Sequence, residues 1–124
     1  MNRNHLILIV LALLAYAAMS GGVTTGVDRC TYVFEKDFGG VPAPVSYALR
    51  KLNEQGIIAT ELEVQPENGL GEIPVQDRVA VEAAGSDLPI LIVQSGDTVT
   101  AKVKAPTTVA QVAEAVGVAI EEPK

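Results

Sequence analysis

Histidine, cysteine and tryptophan are almost missing from this chain: one His, one Cys and no Trp in 124 residues. Three Tyr and two Phe supply all of the aromatic content, 4% of the chain, so a core must be built from small aliphatic side chains. Basic residues are also scarce, nine against fifteen acidic, for a net charge of −6. A chain of that sign is repelled by phosphate backbones and by anionic lipid surfaces, which argues against nucleic acid as a partner. The lone thiol, Cys30, rules out an intrachain disulfide and any Cys-x-x-Cys chemistry, because both need a second sulfur.

Hydrophobic residues are what is there, at 48% of the chain, enough for one domain with a core. Their longest run opens the sequence. Met1-Asn2-Arg3-Asn4-His5 is short and polar with one Arg, Leu6 to Met19 is unbroken apolar sequence, and Ser20-Gly21-Gly22 follows. That layout predicts a secretory signal peptide over residues 1–20, with Ala18 and Ser20 as the small residues before a cut at Gly21. A retained membrane anchor is the rival reading, since Leu6 to Val23 just reaches the ~18 residues of a minimal span. A helix buried in the domain is the third, disfavoured by the glycine-rich linker over 21–28. Removal of the leader takes Arg3 and His5 with it and leaves eight basic against fifteen acidic residues, a charge of −7. Imidazole acid–base catalysis and His-ligated metals then have no residue to work with. Neither a cofactor nor a metal is expected.

From Arg29 the chain reads as regular elements. Arg29 to Glu35 is β-branched and aromatic, a first strand. Asp37 to Pro44 is a loop with a Gly pair and two Pro, and Pro44 suits the first turn of a helix. Val45, Ala48, Leu49 and Leu52 then fall on one helical face, stopped by Gly56. Ile58, Thr60, Leu62 and Val64 alternate with Ala59, Glu61 and Glu63, a half-exposed strand. Gln65 to Pro74 is irregular. Val75 to Ala84 predicts a short helix with Val75, Val79 and Ala83 on its inner face, ended by Gly85. Asp87-Leu88-Pro89-Ile90-Leu91-Ile92-Val93 is a buried central strand with Pro89 at its entrance, where proline is tolerated and a cis bond is accessible. Ser95-Gly96-Asp97 is a tight turn into Thr98 to Lys104, an edge strand with Lys102 and Lys104 on its open side. Thr107 or Thr108 caps a last helix bearing Val109, Val112, Ala113 and Val116.

The order β-α-β-α-β-β-α, a proline opening the third strand and a tight hairpin leading to a final helix resemble the thioredoxin-like superfamily. The resemblance covers roughly Cys30 to Ile120 and implies an α/β three-layer sandwich over 29–124, preceded by the hydrophobic signal or anchor helix. It implies a cis Leu88–Pro89 bond facing the loop between the first strand and first helix. Leu52 to Ile57 and Leu88 to Val93 running into Gly96-Asp97-Thr98-Val99 are most similar to the arsenic metallochaperone and repressor proteins. That family binds trivalent metalloid through cysteines that this chain lacks, and one thiolate cannot chelate such an ion.

The expectation is therefore an exported, redox-inactive binding or interaction module. Its site is the groove formed by Phe38, Gly39, Gly40, Val41, Pro42, Leu88 and Pro89, where the resemblance implies capture of an extended polypeptide or a small ligand by strand-like pairing. Two rivals stand beside it. One is a thiol carrier or enzyme using Cys30, whose alternative role is a small buried hydrophobe. The other is a structural protein that anchors or self-assembles, as a homo-oligomer, through the N-terminal helix. Two further clusters carry less: Glu61, Glu63, Glu67 and Glu72 as an acidic Ca²⁺ patch, and Ser46 with Tyr47 as ligand hydrogen-bonders near Pro89.

Overall fold

The computed structural model describes residues 26–35, 39–64 and 73–123. Its centre is β1 (Arg29–Glu35), which pairs on both sides. On one side it runs parallel to β2 (Ile58–Val64), with Arg29 opposite Ile58 and Glu35 opposite Val64. On the other it runs antiparallel to β3 (Ile90–Ser95), with Thr31 opposite Ile92. The hairpin to β4 (Thr98–Lys104) completes a four-stranded mixed sheet in the order β2-β1-β3-β4. Among the described residues three helices accompany the strands: α1 (Ala43–Glu54) between β1 and β2, α2 (Arg78–Ala84) between β2 and β3, and α3 (Val109–Val116) after β4. The protein is thus α/β, as expected, and the N-terminal run lies outside the described residues.

Strand alternation sends the two sides of β1 and β3 to different helices. Cys30, Tyr32, Leu91 and Val93 pack with Val45, Ala48, Leu49 and Leu52 of α1 and with Val109, Val112 and Val116 of α3. Val33, Ile90 and Ile92 face the other way, onto Ala80 and Ala84 of α2. The α1 face fell where the i, i+3, i+4, i+7 pattern put it. Pro44 sits in the first turn, where a missing N–H costs nothing. Beyond the helix, Gly56 takes φ +92°, a conformation that favours glycine, and Ile57 N–H closes on Leu52 O at 3.0 Å. Asn53 then fastens α1 to β2 with a reciprocal pair, Nδ2 donating to Ala59 O at 2.8 Å and Ala59 N–H donating to Oδ1 at 2.9 Å. Thr108, not Thr107, is the α3 cap: its Oγ1 accepts from Gln111 N–H at 3.1 Å while its own N–H donates to Gln111 Oε1 at 3.1 Å.

Three patterns read differently in three dimensions. The expected Val75–Ala84 helix is a 3₁₀ turn, Val75–Asp77, followed by α2. Its inner face is Ala80 and Ala84, and Val75 is 75% exposed. The change from three to 3.6 residues per turn shifts the phase of the face, and small residues let the helix lie close to the sheet. In β2, Ala59 is buried and Ile58 is 50% exposed, because α2 packs mainly on β3, β1 and β4 and, of β2, Val64 at the far end joins its cluster. In β4 the register slips between Val93 and Gln94, whose partners are Ala101 and Val99. The bulge turns Val99 toward the α2 side, while Ala101 and Val103 stay on the α1–α3 side.

Candidate functional site

Three of the strand ends that the sheet gathers at the C-terminal tip of β1 meet in one place. The loop after β1, the entrance to β3 and the exit from β4 line a cavity of about 170 Å³. Its walls are Tyr32 and Phe34 from β1, Gly39, Gly40 and Pro42 from the loop, Pro89, and Ala105, Pro106 and Thr107 after β4. Topology explains the convergence. β1 and β4 finish at this tip and β3 begins there, since β3 is antiparallel to both.

Four of the seven residues expected in the groove line it: Gly39, Gly40, Pro42 and Pro89. Val41 packs instead against the α1–α3 core, and Leu88 against the α2 cluster. Phe38 lies outside the described residues. The Leu88–Pro89 bond is cis, and Leu88 precedes the first laddered residue of β3, Ile90, which pairs with Val33. Pro89 O accepts from Ala105 N–H at 2.9 Å, a bond that ties the β3 entrance to the β4 exit.

Five lining residues went unforeseen: Tyr32, Phe34, Ala105, Pro106 and Thr107. The rings had a signal, since Tyr32 and Phe34 are two apart on a strand and share a side. Their centroids lie 5.9 Å apart with planes tilted by 37°, within the range of favourable ring pairs. Burial, and then the negative charge of Glu61 opposite it on β2, push the Tyr32 phenol above its ordinary range, so it stays protonated at neutral pH. Ala105–Thr107 reach the groove only because β4 ends there, which no local pattern announces.

The remaining candidates lie elsewhere. Cys30 is fully buried in the α1–α3 core, and burial pushes its thiol up to about 12. A thiol held neutral and out of solvent makes a poor nucleophile. Ser46 Oγ donates to Glu61 Oε2 at 2.7 Å, and Tyr47 OH donates to Glu121 O at 2.7 Å, so neither is directed at Pro89. Glu67 and Glu72 lie outside the described residues, and among the described residues no group of three His, Cys, Asp or Glu is placed to hold a metal ion. Also among them, no helix is long and apolar enough to cross a membrane.

A larger hollow, about 390 Å³, lies over Tyr47, Arg50, Lys51, Asn53 and Glu54. Among the described residues all five belong to one element, α1. Its cations are already engaged: Arg50 and Lys51 lie 5.9 and 5.6 Å from the Tyr47 ring, and Lys51 is 3.3 Å from Glu54. The smaller cavity, with walls from four segments, is the better built site. No protein-family model matches the sequence, and comparison with curated proteins and with solved structures finds no match either.

Proposed function

We propose that this chain is a redox-inactive domain of the thioredoxin-like kind that captures an extended polypeptide at the Pro89 groove. The observation that carries the reading is the meeting of Gly39, Gly40 and Pro42 with Pro89 in a single cavity. A β2-β1-β3-β4 sheet with one parallel and two antiparallel pairings, covered on both faces, supports the fold assignment. Size favours a side chain over a free small molecule. Pockets for drug-sized ligands run from about 300 to 1,000 Å³, and this one measures about 170 Å³. Among the described residues none of its walls is charged, which favours an apolar side chain as the one received. Leu88, beyond the end of the ladder, offers backbone for an extended segment to pair with. The burial of Cys30 supports binding over thiol chemistry.

Gly40 is where to break the groove. A Cβ there meets nothing within 4 Å, so Gly40→Asp adds a carboxylate at the mouth without a clash, whereas a charge at Val41 would disturb the core it packs on. The check is binding to an array of unstructured peptides with a central apolar residue. Gly40→Asp is expected to weaken capture about tenfold or more, because the bound side chain desolvates an unpaired charge, with folding unchanged. Equal capture by both proteins would sink the reading.

Export belongs to the same proposal and rests on the pattern of residues 1–20. Intact mass of the protein from soluble and membrane fractions tests it. A soluble species beginning near Gly21 is the expected result, and a full-length membrane-bound species would make the run an anchor instead.

A further inference from the structure

One wall of the groove holds an uncommon backbone. Among the described residues Ala105 is the sole non-glycine residue with positive φ, at +49°. In that left-handed region Cβ crowds the following carbonyl, and glycine is the residue that escapes the penalty. The conformation is fixed by its surroundings: Ala105 N–H is bonded to Pro89 O, and Pro106 behind it is buried. Core packing does not explain the methyl, because Ala105 is itself exposed. What Ala105 does border is the cavity, of which it is a wall.

We infer that Ala105 is a specificity-determining residue of the groove, its Cβ kept at a conformational cost so that the cavity admits one leucine- or phenyl-sized side chain and shuts out larger ones. The inference rests on the proposed capture of polypeptide at this groove. The size limit follows from volume. An apolar void of about 150 Å³ holds one benzene, so the groove, at about 170 Å³ and open on one side, takes up a single six-membered ring and leaves part of an indole outside. A strained residue beside a ligand groove is also where backbone strain tends to be retained for function.

The test uses the full chain and two capped amino acids as probes, the N-acetyl methylamides of leucine and of tryptophan, titrated while the NMR signals of Tyr32, Phe34 and Gly39 are followed. Ala105→Gly opens the wall and relieves the backbone. The tryptophan probe should gain about tenfold relative to leucine, the discrimination a methyl group typically gives in a pocket, and Tm should stay level or rise by up to about 4 °C. Ala105→Asn moves the wall the other way without losing the fold, because asparagine accepts left-handed backbone; both probes should weaken. Probes that bind at these residues with an unchanged ratio in Ala105→Gly would overturn the inference and leave the groove reading standing. Probes that bind neither wild type nor variant would overturn the groove reading, and this inference with it. A clear fall in Tm for Ala105→Gly would show that the methyl is needed for stability, which also overturns it.

Discussion

Among the described residues, sixteen buried ones form one continuous apolar layer on the side of the sheet covered by α1 and α3, and five on the side covered by α2. The first layer includes Tyr32, Leu52, Leu91 and Ile120, and it extends past the helices to the tail at Val118 and Ile120. The second relies on two alanines against Val33, Ile90 and Ile92. It also buries polar groups. Thr31 and Gln94, on the α2 side by alternation, are 0% and 2% exposed, and among the described residues Thr31 Oγ1 and Gln94 Oε1 have no hydrogen-bond partner. An ion pair at 3.7 Å, Arg29 with Asp77, joins the start of α2 to β1. A seven-residue helix cannot span four strands, so this side leaves Ile58 uncovered and fills in with polar side chains. The better covered side can lend its margin to a cavity: Tyr32 is a core residue and a groove wall at once.

The contrast can be sharpened first with alkali. Burial in the α1–α3 layer raises the Cys30 thiol from 9.0 to about 12. Below pH 9 the thiol is neutral in folded and unfolded chains, and its contribution is fully present. Above that the unfolded chain releases the proton and the folded one holds it, so stability falls as pH climbs toward 12. Urea unfolding should show about 2 kcal/mol less stability at about pH 10.5 than at pH 8 from this group alone. Cys30→Ala should remove the part of the decline that starts near pH 9. A decline of the same size in that variant would mean the layer is wetter than its burial indicates.

A smaller effect, of opposite sign, is expected on the α2 side. Thr31→Val replaces a buried, unpartnered hydroxyl with a methyl of nearly the same shape. The variant should be more stable by about 1 kcal/mol, the lower end of the penalty for an unsatisfied polar group, read as a higher urea midpoint at constant slope. A loss of stability would mean that the hydroxyl has a partner, and the contrast between the two sides would fail there.

The element order was legible because it rests on local signals that burial reinforces: period-two runs at Thr98 to Lys104, the α1 face, Gly56, the cap before Val109. The errors came where a neighbour's reach decided the outcome. Ile58 has the right alternation and yet lies half exposed. Val75 has an apolar side chain on the wrong turn. Val99 changes side through a backbone slip that leaves no mark in the sequence. The groove was half legible for the same reason. Gly39, Gly40, Pro42 and Pro89 stand out as turn residues, whereas Ala105 looks like any alanine until its φ is known.

At the other end of β1, the Asp28 carboxylate accepts from Gly96 N–H at 3.1 and 3.2 Å, and Ile58 N–H donates to Asp28 O at 2.9 Å. These bonds clip the chain to the hairpin and to β2 just before the first strand begins. Whatever precedes residue 26 therefore joins the domain at the pole opposite the groove, a strand length of roughly 20 Å away. The point where the chain enters the domain and the groove thus lie at opposite ends of β1.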